Sequence, residues 1–336
     1  MYTSRQQINE PERGHLPRPL RRGRSTAVTL AWRAGSLAAG FAADRIFADP
    51  SSHHPVAAYG TAVTRLIEGM YADSKARGVA FTAIAVGLPV AAAVGTAKLA
   101  PNLALAVATW ASLGGTTLQR TGSRMAKRLD REDVDSAREL VSWLCSRDPK
   151  ALDLDGIARA TVESLAENTS DAVSGTLLWG AIAGAPGVVA HRAINTLDAM
   201  VGYRNARFSN FGWASARLDD VAGFVPARLT AIATVIAGPN RRQAVEAWRR
   251  DAAAHPSPNA GVVEASAAGA LGLQLGGATV YPSGVEMRPV LGEGAAPAVP
   301  DVRRAVKLSG DVQKIVLALC VGGLGLAAAA LKGSCR

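Results

Sequence analysis

The sequence predicts an all-α, polytopic α-helical integral membrane protein with cytoplasmic helical and loop segments. Three observations carry that expectation. Of 336 residues, 49% are hydrophobic and only 19% are charged, below the roughly 25% charge of ordinary soluble domains. Mean hydropathy is positive, at +0.12. Long runs at residues 79–97, 101–118 and 315–331 hold no charge, and each approaches the roughly 20 residues that cross a 30 Å hydrocarbon core.

The formal charge of +10 does not point to nucleic acid. Basic residues lie mostly beside apolar runs and in the N-terminal tail, which makes anionic membrane lipid the expected partner. Cys145, Cys320 and Cys335 fall in no CxxC or metal spacing, so neither a disulfide framework nor a zinc site is indicated.

Taken in order, residues 1–25 are rich in Arg, Pro and Gly and read as a disordered, cytoplasmic tail. They are not a cleavable signal, because the apolar stretch behind them continues to Asp44 without a cleavage site. Residues 26–336 read as one membrane domain. Residues 26–47 are helical and span only if Arg33, Asp44 and Arg45 face protein, since a mid-helix charge costs about 2.5–3.5 kcal/mol on insertion. Asp49-Pro50 ends that helix, residues 51–56 turn, and an amphipathic helix follows over 59–77. His54 in the turn is either a ligand or a hydrogen-bonding neighbour.

Residues 79–97 and 101–118 predict a tight transmembrane hairpin. Arg120, Arg124, Lys127, Arg128 and Arg131 follow it and place that end in the cytoplasm. Residues 130–165 have the pattern of soluble amphipathic helices broken at Arg147-Asp148-Pro149, with Asp153 or Asp155 as the next cap. Residues 172–190 contain Gly175, Gly180, Gly184, Pro186 and Gly187 and read as a re-entrant or broken helix, because a full span would export the polar loop behind it. Residues 221–237 hold Pro226 and Arg228 and read as buried in the bundle. A polar helix over 241–253 leads to a loop, 255–261, whose His255, Ser257 and Asn259 can point at one place. A small-residue helix with Glu264 covers 262–271, an irregular, partly extended stretch covers 275–294, and a linker at 297–300 precedes the final span, 315–331.

Chemistry concentrates between residues 163 and 220. Glu163, Glu167 and Asp171 recur every four residues, which stacks them on one helix face about 6 Å apart. Such a face is either simply solvated or compensated by a hard cation, with Asn168 a neighbouring oxygen donor. Beyond the apolar run come Asn195, Asp198, Arg204, Asn205, Arg207, Arg217, Asp219 and Asp220, interleaved with Tyr203, Phe208, Phe211 and Trp213. Arginine forks suit phosphate or carboxylate. Alternatively, Asp198 and Asp219 pair with Arg204 and Arg217 to hold the bundle.

These motifs resemble the CobD/CbiB family of cobalamin-biosynthesis proteins, the adenosylcobinamide-phosphate synthases. The likeness rests on Asp44, Asp49-Pro50 and His54-Pro55-Val56, on residues 162–168 with Asp171, and on Asn195-Thr196-Leu197-Asp198. It extends through Gly202-Tyr203-Arg204-Asn205, residues 216–220, Pro226-Ala227-Arg228, His255, residues 257–261, Glu264, Gly276-Gly277, Tyr281 and Arg288-Pro289.

The resemblance implies a multi-pass enzyme of the cell (inner) membrane with a cytoplasmic active site. It implies ATP-dependent amide ligation between adenosylcobyric acid, a corrinoid, and (R)-1-aminopropan-2-ol or its O-phosphate, with Mg²⁺ and other cobalamin-pathway enzymes as partners. On that footing Glu163, Glu167 and Asp171 are expected to hold Mg²⁺-ATP, with Glu167 also catalytic. Arg204, Arg207 and Arg217 bind phosphate oxygens, Asp198 acts as base toward the amine, and His255 and Asn259 bind substrate. No GxxxxGK[ST] loop is present, so ATP use rests on the resemblance and on the energetics of activating a carboxylate. A transporter with a midplane site or a scaffold for corrinoid enzymes is the alternative.

Overall fold

Helices form where the apolar runs are long, and each break has a local cause. The computed structural model describes residues 18–50, 54–203, 205–281 and 284–333, with side chains from residue 26 onward. Its order is α1 (Arg18–Phe47), α2 (Pro55–Met70), α3 (Lys75–Leu99), α4 (Pro101–Leu113), α5 (Gly115–Leu129), α6 (Val134–Val141), α7 (Leu154–Asn168) and α8 (Gly175–Val201). Then follow α9 (Trp213–Ala222), α10 (Phe224–Ala237), α11 (Arg241–Asp251), α12 (Ala260–Leu271), β1 (Leu275–Tyr281), β2 (Gly284–Leu291) and α13 (Val299–Gly333). The fold is mostly helical, as expected. The stretch expected to be irregular and partly extended is an antiparallel β1–β2 hairpin.

Among the described residues, three helical stretches are long and apolar enough to cross a membrane: Lys75–Leu99, Leu154–Val201 and Val299–Gly333. A fourth exists if α9 and α10, bent by 44°, count as one span. α3 and α13 match the expected spans at 79–97 and 315–331, although α13 begins sixteen residues earlier, with Pro300 tolerated in its first turn.

Two expected spans are corrected. The 101–118 arm is not continuous, because Gly114 adopts the left-handed conformation (φ 60°) between α4 and α5. The thirteen residues of α4 reach only about 20 Å at 1.5 Å per residue, short of the hydrocarbon core. The break is held by Asp44, whose carboxylate accepts from Thr116 N at 3.0 Å and Thr116 Oγ1 at 2.7 Å, capping α5 where Gly114 has no side chain to do so.

The 26–47 segment is longer than expected. α1 starts at Arg18, inside the stretch assigned to the tail, with Pro19 in a first turn that needs no N–H. It is not among the helices long and apolar enough to cross a membrane by composition, although its charges do face protein, the condition set for it to span. Arg33 donates to the carbonyls of Ala181 (3.1 Å) and Ile182 (2.8 Å), and Arg45 donates to Gln119 (2.7 Å) and to Gln313.

α8 folds back on itself. Gly184 sits at φ 68°, ψ −153°, a region essentially restricted to glycine. A Cβ on Gly175 would fall inside the His191 ring, and one on Gly180 would sit 2.9 Å from Val188 Cγ2. Along a straight helix those partners would lie more than about 10 Å apart, so the two arms are antiparallel. The reversal frees carbonyls at the end of the first arm, and Arg33 takes two of them. Of the two expectations for 172–190, re-entrant or broken, the geometry shows the break, at Gly184. Gly184→Ala is predicted to lower stability by about 1–3 kcal/mol, read as the thermal midpoint in detergent. Gly87→Ala in α3, where a Cβ meets nothing within 4 Å, serves as the neutral control.

The expectation for 221–237 holds on one face of α10 only. Ala227, Thr230, Ala231 and Thr234 are buried, while Phe224, Val225, Ile232 and Ile236 are exposed. The main core joins α1, α4, α5, α7, the first arm of α8, α12 and α13 around Leu37, Met125, Ile157 and Leu177. A second, smaller core joins α2, α3 and the end of α8 around Phe81, Leu197 and Phe211.

Candidate functional site

Between α7 and α8 the helix widens into a π turn, Thr169–Ser174. The turn is fastened on both sides, by Thr169 Oγ1 to Ser309 Oγ (2.6 Å) and by Thr230 Oγ1 donating to Ser174 Oγ (2.6 Å). Extra backbone in a helix re-aims its side chains. Here it redirects Asp171, which hydrogen-bonds Asn195 and lies within electrostatic reach of Asp219, Glu167 and Asp198. Asp219 also hydrogen-bonds Asn195, with Asp198, Asp220 and Glu167 around it. Asp171 of the π turn and Asp219 of α9 therefore meet at one asparagine, with Glu167 of α7 and Asp198 of α8 within electrostatic reach of both.

The ladder of three acids does not act as one unit. Glu163 is buried, forms an ion pair with Arg147 and accepts from Gly276 N at 2.8 Å. It thereby pins the β1 bulge, where Gly276 and Gly277 adopt positive φ. Arg159 reinforces that anchor by donating to Gly276 O (2.7 Å) and Ala278 O (2.6 Å). Glu167 makes no ion pair among the described residues. It lies within reach of the acidic group on one side and of Glu264, Arg288 and Tyr281 on the other.

That second side is a buried polar wall. Arg288 approaches Glu264 at 3.8 Å and lies over the Tyr281 ring at 5.7 Å. Arg147 Nη1, Arg288 Nε, Glu264 Oε1 and His255 Nε2 are buried without a hydrogen-bond partner. His255 Nδ1 accepts from Ser257 N at 3.0 Å, which leaves the ring proton on Nε2. Burial, aided by Arg288, holds the imidazole below its ordinary pKa, so it stays neutral. Native proteins seldom leave so many buried polar atoms unpaired, and together they describe a surface prepared for a polar ligand.

Other expected site residues lie elsewhere. Arg207 is exposed and stacks on Tyr71 (5.3 Å) and Phe208 (5.0 Å). Arg217 is exposed and pairs with Asp220 at 3.3 Å, not with Asp219. Arg204 lies outside the described residues, as do residues 1–17 and 51–53. Asn259 is occupied at both ends, donating to Asp220 O (2.9 Å) and accepting from Arg228 (3.1 Å). Ser257 Oγ accepts from Asn259 N and Ala260 N, so the 255–261 loop is largely bonded to itself. Asn168 uses its amide group on Leu144 O and Ser164. Among the described residues, neither Asp198 nor Asp219 forms an ion pair, and no three His, Cys, Asp or Glu side chains form a preformed metal cage.

The cations that do approach the acids were given no site role from the sequence, although Arg288 stands in a motif of the resemblance. Arg192, on the second arm of α8, is within electrostatic reach of Asp49 and Asp171, and Asp49 meets His54 at 3.4 Å. Arg147 and Arg288 come from a loop and a strand. Each is isolated in the chain, and only their placement in a buried setting distinguishes them.

Comparison with known proteins supplies the remaining finding. A family model described as "CobD/Cbib protein" matches residues 37–309. The chain is similar to "Cobalamin biosynthesis protein CobD" of Mycobacterium tuberculosis, 48% identical over 303 residues that cover 88% of this chain and 97% of the relative. It is likewise similar to the proteins of that name in Stutzerimonas stutzeri, 43% identical with 79% and 89% covered, and Chromobacterium violaceum, 40% identical with 79% and 88% covered. No solved structure matches.

Proposed function

The chain belongs to the CobD/CbiB family and is an enzyme of cobalamin biosynthesis, making adenosylcobinamide or its phosphate from adenosylcobyric acid, and on that premise we propose how its residues divide the work. The reaction is ATP-dependent ligation of the corrinoid carboxylate to (R)-1-aminopropan-2-ol or its O-phosphate. A carboxylate is a poor electrophile, so one of its oxygens first takes the γ-phosphoryl group, ADP departs, and the amine nitrogen then attacks the acyl carbon with loss of phosphate.

The observation that carries this division is that Glu167 lies within electrostatic reach both of carboxylates without ion pairs and of the wall holding Glu264 and the half-buried Arg288. Glu167, Asp171 and Asp219 are the candidates for holding Mg²⁺. The donor set fits, because Mg²⁺ keeps most of its waters and takes one or two carboxylates plus substrate phosphates, without needing a closed protein cage. When bound, the ion would offset phosphate charge. Glu163 is committed to Arg147, so its part is to hold that arginine and the β hairpin in place. Arg147 and Arg288 face the anionic groups, and His255 offers its Nε2–H to substrate. Asp198, without an ion pair among the described residues, takes the proton from the attacking amine. The positive stretch after α4 supports an active site on the cytoplasmic face.

Purified protein in detergent, supplied with adenosylcobyric acid, ATP, Mg²⁺ and either amine, is expected to yield a corrinoid whose mass rises by the condensed amine. The product appears only with ATP and Mg²⁺. Asp198→Asn is expected to lower kcat by roughly 10²–10⁴-fold with little change in KM. A corrinoid that binds but is never converted with either amine would overturn the assignment.

A further inference from the structure

Away from the acids, one face of α5 and Arg45 of α1 line an open depression of about 410 Å³, with Gln119, Arg120, Ser123, Arg124 and Lys127 along it. That volume falls within the range of small-ligand sites. The sequence of α5 explains its shape. Leu118, Met125, Ala126 and Leu129 turn into the core, which leaves residues 120, 123, 124 and 127 together on the opposite face.

The charge balance of this pocket is unusual. Among the described residues, none of Arg45, Arg120, Arg124 and Lys127 forms an ion pair. Arg45 is half-buried and held by neutral acceptors, Gln119, Thr116 and Gln313, with its guanidinium 4.6 Å from the Phe41 ring centroid. Its neighbour Asp44 is buried and engaged with Thr116. Arg45 is offset in part by the adjacent Asp44 carboxylate and is fixed in place before any ligand arrives, whereas Arg120, Arg124 and Lys127 form no ion pair among the described residues.

Exposed apolar side chains also adjoin the pocket. Ile46 and Phe47, next to Arg45, are 69% and 68% exposed. Gln313, which holds Arg45, lies two residues before the uncharged run 315–331 of α13. An uncharged run of α13 thus begins two residues from the group that holds Arg45, the placement that a site at the headgroup level of a bilayer requires.

We infer that the α1–α5 pocket binds a phosphate group at the membrane surface, with Arg45 as its fixed cation and Arg120, Arg124 and Lys127 as its movable ones. Phosphate esters fit this donor set, since guanidinium groups bond their oxygens in pairs. The phosphate comes either from an anionic lipid headgroup or from a soluble phosphate, and the experiment separates these sources.

The full-length protein in neutral detergent is titrated with dioleoyl phosphatidylglycerol, with dioleoyl phosphatidylcholine and with inorganic phosphate, and bound lipid is read by native mass spectrometry alongside the thermal midpoint. The variants are Arg120→Gln/Arg124→Gln and a charge-matched control on α11, Arg241→Gln/Arg249→Gln. All four positions are exposed, so each variant is expected to fold. Wild type and control are expected to retain phosphatidylglycerol over phosphatidylcholine, and the α5 variant to bind it about thirtyfold more weakly. A lipid that inorganic phosphate does not displace assigns the pocket to the headgroup. Protection by inorganic phosphate without lipid retention, lost in the α5 variant, assigns it to a soluble ligand. Equal behaviour of wild type and the α5 variant in every arm, or equal loss in the control, overturns the inference.

Discussion

Glu167→Gln is expected to reduce turnover by roughly a thousandfold or more while the protein still inserts and melts as wild type. The substitution keeps size and hydrogen bonding but removes the charge shared by the acidic cluster and the arginine wall. A metal-holding or acid–base carboxylate at a reaction centre contributes on the order of 10²–10⁴-fold, and Glu167 serves both sides of the site. The protein without an ion pair at this position has little folding energy to lose, so the midpoint is expected to stay put or rise. Near-normal turnover, measured by product mass under saturating ATP and Mg²⁺, would sink the assignment. Asp171→Asn provides the companion measurement, because weaker Mg²⁺ dependence there separates metal holding from proton transfer.

The largest stability effect is expected at Arg147→Met. Breaking a buried ion pair from one side leaves the other charge uncompensated, at a cost of about 3–5 kcal/mol. Glu163 would be that stranded charge, and its bond to Gly276 N ties the loss to the β1–β2 hairpin and to Arg288 beyond it. Adding Glu163→Gln removes the stranded charge and keeps an acceptor for Gly276 N, so the double variant is expected to recover most of the midpoint. Its activity is expected to remain low, because Arg147 is proposed to face the anionic substrate. A single variant that melts like wild type would show that the pair does not hold the fold, and a double variant with full turnover would remove Arg147 from the site.

Much of the architecture was legible because it follows from local pattern. The uncharged run of α3 gave a span, Asp153 gave the cap of α7 through its bond to Gly156 N at 2.8 Å, and the glycines around Gly184 gave the reversal in α8. The uncharged run at 101–118 misled for a physical reason. Hydropathy does not record that Gly114 turns left-handed or that Asp44, some seventy positions earlier, caps the helix beyond it. The acid ladder was legible as a spacing but not as a function, since a π turn re-aims Asp171 and Arg147 removes Glu163.

What the sequence determined by itself, then, is the family, the membrane-length apolar helices and the short motifs in which acids and amides recur. These depend on residue type, period and order, all of which are local. Tertiary structure alone decided which charges meet. Arg147 with Glu163 and Arg288 with Glu264 are pairings across a helix, a loop and a strand, and Arg192 comes within electrostatic reach of Asp49 and Asp171. A buried charge must find its partner in space, because desolvation costs it several kcal/mol wherever none is near, and that choice depends on packing distance and not on position along the chain.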